Sequence, residues 1–169
     1  MKTLSVKDIM AMSPEGQTVT VRGWTRTKRE TKNALFMEIN DGSRFKGIQC
    51  VFDLEKAASL AAEFARVQTG ASVEIKGELI ASPAKGQAVE VKAETIEVLG
   101  EAPAESYPLQ KKAHSLEFLR EIAHLRARTN TFGAVARVRS QLAFAIHSFF
   151  NERGFQYLHT PLITGSDAE

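Results

Sequence analysis

A change of period constrains this chain more than any other feature. Through roughly its first hundred residues, apolar and polar side chains alternate, as they do in strands with one face buried. Only one stretch breaks the alternation. SPEG at Ser13 to Gly16 is a turn signal, and TVTVRGW follows with Val19 and Val21 alternating against polar neighbours. A polar, basic loop from Thr27 to Asn33 leads into ALFMEIN and then into the turn Asp41-Gly42-Ser43. GIQCVFD reads as a third strand. The period then changes: LEKAASLAAEFARV sets Ala57, Leu60, Ala61, Phe64 and Val67 at helical spacing in alanine-rich sequence, and Gly70 ends it. Alternation resumes in SVEIKGELI, passes a loop from Ser82-Pro83 to Gly86, and continues in AVEVKAETIEVL. Three strands, a helix and two more strands match the order of a five-stranded OB-fold barrel. The expected fold class is mainly β with helices, β1-β2-β3-α-β4-β5.

Beyond Gly100 the pattern is different. GEAPAESYP, with Pro103 and Pro108, reads as a linker. Ser115 is placed to cap a helix through LEFLREIAHLRA. A longer helix is predicted from Phe132 to Glu152, and its apolar positions cover more than one stripe, so it wants partners on more than one side. Arg153-Gly154 stops it, and FQYLHTPLI reads as an extended strand. The expected organisation is a barrel over 1–100, a linker or hinge over 101–130, and the first piece of another domain over 131–169.

Composition narrows the classes further. No run approaches the 18 apolar residues of a membrane span, and the N-terminus lacks the apolar core of a secretory signal. A single cysteine, Cys50, leaves no disulfide or paired-cysteine metal site, and the four histidines do not fall at metal-ligand spacing. The expectation is a cytoplasmic protein with no membrane partner and no metal. The net charge of +2 decides nothing about nucleic acid, but its distribution is uneven. Arg22, Arg26, Lys28, Arg29 and Lys32 crowd one stretch, opposed only by Glu30, and such a cluster can neutralise phosphates.

Strand register gives candidate residues. If Leu35, Met37 and Ile39 face the barrel interior, Phe36 and Glu38 face out. An outward ring offers a stacking platform to a nucleobase. Ile48, Cys50 and Phe52 share a face, so Gln49 points the other way, where its amide can read the Watson–Crick edge of an unstacked base. Val89 and Val91 point inward, which leaves Glu90 outward. The outer face of the second and third strands, with the loop before them, is where OB-folds bind oligonucleotides. Phe36, Gln49, Arg29 and Glu30 therefore converge by separate routes. The plainer alternatives are a Phe36 covered by a loop and a solvated Gln49 and Glu90.

GWTRTKRETKNALFMEINDGS resembles the anticodon-binding domain of class IIb aminoacyl-tRNA synthetases. YPLQKKAHSLEFLREIAHLRARTNTFGAVARVRS with FFNERGFQYLHTPLITGSDAE resembles the bacterial asparaginyl-tRNA synthetase family, and together the two segments carry the likeness over nearly the whole chain. The resemblance implies that Phe36 stacks on an anticodon base and that Gln49 reads the central uridine. It also implies that Arg29, Glu30 and Glu90 contact the anticodon; Arg26 and Lys28 join them as candidates because the basic loop lies at the same face. Arg153, Gly154, Phe155, Thr160 and Pro161 match class II motif 1, a dimer-forming helix and strand, which makes a second copy of the chain an expected partner. The sequence departs from the family at Ala113, Leu116, Ala127 and Ala168, where an Arg, an Asp, a Pro and a Cys are expected.

The function implied is recognition of the tRNA(Asn) anticodon, as the N-terminal part of a ligase that joins asparagine to tRNA through an asparaginyl-adenylate. ATP and Mg²⁺ would serve the full-length enzyme. Motifs 2 and 3 are not present here, so no catalytic residue and no cofactor is assigned to this chain. Two alternatives remain: a stand-alone OB-fold module for single-stranded nucleic acid, and a dimerising fragment without catalysis.

Overall fold

The computed structural model describes residues 4–84 and 86–165, so Ala168 lies outside the described residues. Contacts divide the chain into two compact units, Met1–Arg126 and Ala127–Glu169.

The first unit is a closed barrel. β1 (Thr18–Glu30), β2 (Ala34–Asn40), β3 (Ile48–Asp53), β4 (Ser72–Ala81) and β5 (Val89–Gly100) are hydrogen-bonded in the order β1-β2-β3-β5-β4, and β4 pairs back onto β1. The alternation seen in the sequence is the alternation of burial: Leu35, Met37 and Ile39 of β2 and Ile48, Cys50 and Phe52 of β3 are each at most 1% exposed. Val19, Val21, Val73, Ile75, Leu79 and Val91 complete the interior. Burying such side chains contributes about 1.5–3 kcal/mol each, which holds the register against a one-residue slip. β1 is bent by an irregularity between Thr25 and Thr27, so one strand serves two neighbours: residues 18–24 pair with β4 and 24–30 with β2.

A short helix, α1 (Val6–Ile9), plugs one end of the barrel with Val6 and Ile9. Ser5 and Asp8 form a capping box at its start. The β2–β3 turn supplies further acceptors: Val6 N donates to Asp41 Oδ2 at 2.8 Å and Lys7 N to Ser43 Oγ at 3.0 Å.

Several local expectations change. The basic loop is shorter than its composition suggests. β1 continues to Glu30, which pairs with Leu35, and the connection to β2 spans only residues 31–33. Arg26, Lys28 and Arg29 are therefore strand residues with fixed directions. The helix after β3 is also shorter. It comprises a 3₁₀ turn (Ala58–Leu60) and α2 (Ala61–Arg66). Asp53 accepts from the backbone amides of Glu55, Lys56 and Ala57, and this local turn competes with helix over residues 54–57. The third change concerns FQYLHTPLI, which has no regular secondary structure and is exposed throughout. An extended segment becomes a strand only beside another strand, and among the described residues none lies beside it.

After the barrel, α3 (Leu116–Glu121) is capped by Ser115, whose hydroxyl accepts from Phe118 N. It is shorter than the sequence pattern, ending where Ile122 leaves helical geometry. The second unit is built on α4 (Asn130–Asn151), capped by Thr129. Its end is explained by Gly154 at φ +83°, with Gly154 N bonded to Asn151 O and Phe155 N to Phe150 O. This is a Schellman ending, and the Phe150–Phe155 ring pair at 5.5 Å is its usual hydrophobic contact. α4 buries none of its residues.

Candidate nucleic-acid interface

Residues paired across antiparallel strands share a face, so the ladders give the outer surface of the barrel row by row. One row runs Arg29, Phe36, Val51, Lys92: Arg29 opposes Phe36, Phe36 opposes Val51, and Val51 opposes Lys92. The adjacent row runs Thr27, Glu38, Gln49, and continues to Glu90, which Gln49 reaches by a hydrogen bond. The first row is an apolar floor with a cation at each end. The second is a line of hydrogen-bonding groups.

Phe36 is outward, as its register predicts, and half-buried. The Arg29 guanidinium carbon lies 4.8 Å from the ring centroid, over one face. At an exposed position such a contact is worth about 0.5–1 kcal/mol, weak enough to exchange for a base. A base arriving there can stack on the ring while the guanidinium moves to a phosphate or onto the far face of the base.

Gln49 and Glu90 meet. Gln49 Nε2 donates to Glu90 Oε2 at 3.1 Å, and the same oxygen accepts from Ser82 Oγ at 2.8 Å and Gln87 Nε2 at 3.1 Å. Glu90 is on the outer surface but only 6% exposed, so it is a covered carboxylate rather than a solvated one. Its concealment depends on groups that converge only in the folded barrel: β3 supplies Gln49, and the β4–β5 connection supplies Ser82 and Gln87. A carboxylate out of water is tolerated when several donors satisfy it. Beneath it, Cys50 is fully buried, and burial, with the nearby negative charge of Glu90, pushes its thiol far above the ordinary range. That sulfur is inert packing.

The remaining predicted residues separate. Arg26 is half-buried at the β1 irregularity, and Glu30 is exposed at the strand end. Lys28 opposes Met37 and so lies on the other side of β1 from Arg29. Its ammonium group donates to Phe64 O and to Val67 O at the end of α2. It caps that helix rather than facing the rows. Trp24 sits at the far end of the outer surface opposite Asn40 and is 39% exposed. Ser82, Gln87, Val51 and Lys92 are not among the sequence candidates, and Glu38 is read there as outward without a role. A strict reading of alternation would have found Val51 and Lys92; nothing local marks Ser82 or Gln87.

In the second unit, Arg153 stacks over Phe149 at 3.7 Å and donates to its carbonyl at 3.0 Å. Arg153, Gly154 and Phe155 thus form one helix stop, while Pro161 lies in the exposed irregular segment.

Comparison with known proteins places this geometry. The tRNA anti-codon family, described as an OB-fold nucleic acid binding domain, matches residues 19–99. An asparagine–tRNA ligase of Treponema denticola is 60% identical over 166 residues, 97% of this chain and 35% of that protein. Over nearly its whole length the chain is similar to asparaginyl-tRNA synthetases. The corresponding ligase of Thermosynechococcus vestitus is 54% identical over 164 residues, again 97% of this chain and 35% of its own length. The chain therefore spans about a third of the length of the curated relatives it matches. Among solved structures, the asparaginyl-tRNA synthetase from Pyrococcus horikoshii complexed with asparaginyl-adenylate aligns with a TM-score of 0.81 at 21% identity. It covers 95% of this chain and 37% of that one, a likeness of fold.

Proposed function

We propose that the barrel recognises the anticodon of tRNA(Asn), as the N-terminal part of an asparagine–tRNA ligase acting in the cytoplasm. The observation that carries this reading is the junction of the two rows: a stacking ring under a guanidinium beside an amide whose nitrogen is held by a buried carboxylate. One anticodon base stacks on Phe36. The next presents its Watson–Crick edge to Gln49, and Arg26, Arg29 and Lys92 neutralise the adjoining phosphates. Glu90 accepts only, so it fixes the nitrogen end of the Gln49 amide toward itself. The amide then offers its oxygen and its second N–H in one order. That order matches the imino donor and carbonyl acceptor of uridine. It opposes cytidine, which sets a ring-nitrogen acceptor and an amino donor at those two positions. Glu30, at the rim, faces the same ligand.

The test is competition for a labelled cognate anticodon stem-loop. An unlabelled cognate loop should displace it at far lower concentration than a loop of scrambled anticodon. Equal displacement would make the barrel a general single-strand binder and overturn the reading.

Ligation by the full-length enzyme would need ATP and Mg²⁺; among the described residues of this chain no group of three or more His, Cys, Asp or Glu is placed to hold a metal ion. Pure chain should give no ATP–pyrophosphate exchange. The organisation we propose is a barrel over 1–100, a hinge over 101–130 and the start of the catalytic domain over 131–169. A second copy would pair through α4 and the motif 1 residues Arg153, Gly154, Phe155 and Pro161. The exposed apolar surface of α4 supports that pairing.

A further inference from the structure

Gln49 alone cannot tell uridine from cytidine. Its amide offers one donor beside one acceptor, and turning it over by 180° exchanges them at almost no cost. Uridine presents an imino donor beside a carbonyl acceptor, and cytidine presents a ring-nitrogen acceptor beside an amino donor, the same two roles in reversed order. Discrimination therefore lies in whatever prevents the turn. Glu90 can prevent it only if its own carboxylate is held. The hydrogen bond from Gln49 is one of three to the same oxygen, and the other two come from the β4–β5 connection. Ser82 Oγ donates to Glu90, and accepts in turn from Gln87 Nε2 at 2.9 Å and from Ala84 N at 3.2 Å. Ser82 N donates to Ala88 O at 3.0 Å, which closes the hairpin around this cluster. Gly86 turns the chain at φ +98°, where a side chain would be strained.

We infer that Ser82 and Gln87 are positioning residues for base identity: by holding Glu90 they hold the sense of the Gln49 amide, and they set the preference for uridine over cytidine without reaching the base. This rests on Gln49 reading a base, as proposed above. Two hydroxyl and amide donors on one loop, aimed at a carboxylate that is 6% exposed and already bonded to the reading residue, make a chain of control from loop to amide. Losing either donor leaves Phe36, Arg29 and the amide itself in place. The stacked complex should still form, but with the amide free to adopt both senses.

The experiment uses the 169-residue chain and two fluorescent anticodon stem-loops that differ only in uridine or cytidine at the central position. Wild type should prefer uridine by roughly tenfold or more, the scale of one bidentate pair. Ser82→Ala and Gln87→Leu should each lower that ratio severalfold, chiefly by improving cytidine binding, with affinity for the uridine loop within about threefold of wild type. Ser82→Thr keeps the hydroxyl and should keep the ratio. An unchanged ratio in Ser82→Ala and Gln87→Leu overturns the inference. So does loss of the ratio in Ser82→Thr along with the others, since that would report a disturbed loop. If Ser82→Ala does not fold, as judged by circular dichroism, Gln87→Leu decides alone. Gln49→Ala separates the two levels. If it leaves the wild-type ratio intact, Gln49 does not read the base and the functional reading falls. If it abolishes the ratio while Ser82→Ala and Gln87→Leu retain theirs, only the positioning role falls.

Discussion

Phe36 and Arg29 touch each other, yet their removal should leave different signatures. Phe36→Ala takes away a stacking surface, so affinity for the cognate stem-loop should fall by about 1–3 kcal/mol while its salt dependence stays the same. Arg29→Ala takes away a cation, so the slope of log affinity against log salt should shrink by about one. Fluorescence titration at several salt concentrations reads both. Asp41 gives a residue-scale prediction about stability. Burial raises its carboxyl, but hydrogen bonds from the Ser43 hydroxyl and from the amides of Val6 and Ser43 outweigh this and leave it below its ordinary value. A lowered carboxyl contributes stability that is present above its unfolded value and is lost as pH falls through the folded one. Melting temperature should therefore decline on acidification below the usual aspartate range. Asp41→Asn should flatten that decline and lower stability at neutral pH. At this scale Phe36 and Gln49 were legible, because alternation alone gives their direction. The concealment of Glu90 was not, because its donors come from positions 49, 82 and 87, and no local pattern joins them.

The strands were read nearly in full, since period two and the turns at 13–16 and 41–43 are local signals. The elements that changed are those in which tertiary pairing outweighs composition. β1 extends to Glu30 because β2 offers it partners, and the helix before β4 starts late because Asp53 captures the amides that follow it. Lys28 belongs to this scale. Its ammonium group reaches the end of α2, so Lys28→Ala should lower the melting temperature, at a cost of about 1 kcal/mol, and leave the salt slope of RNA binding nearly unaltered. A changed slope with unchanged stability would return Lys28 to the RNA face. Gly77 marks where β4 and β5 come too close for a side chain: a Cβ would stand 2.2 Å from Lys92 O. Gly77→Ala should destabilise the barrel by about 1–3 kcal/mol, measurable by urea unfolding.

Across the whole molecule, apolar surface is distributed unevenly. The barrel encloses most of its hydrophobic residues, whereas Val138 and Phe144 on α4 are 65% and 70% exposed. A helix apolar on several sides calls for association. Sedimentation velocity should show self-association that grows with concentration, and Leu142→Glu should suppress it without altering anticodon-loop affinity. A monomer at all concentrations would remove the pairing proposal. The sequence pattern carried this feature plainly. It could not say that the segment after α4 would lack a strand's hydrogen bonds, because those require a neighbour that periodicity does not encode.

The barrel closes between β3 and β5 through only two matched positions, Cys50 with Val91 and Val51 with Lys92. The proposed reading groups straddle that seam, with Phe36 and Gln49 on one bank and Glu90 and Lys92 on the other. A bound RNA loop would thus act as a suture. Backbone amides on either side of the seam should exchange with deuterium more slowly in the complex than in the free chain, and by more than amides in the well-paired β4–β5 ladder. Occupancy by RNA then becomes visible as local tightening of the barrel wall.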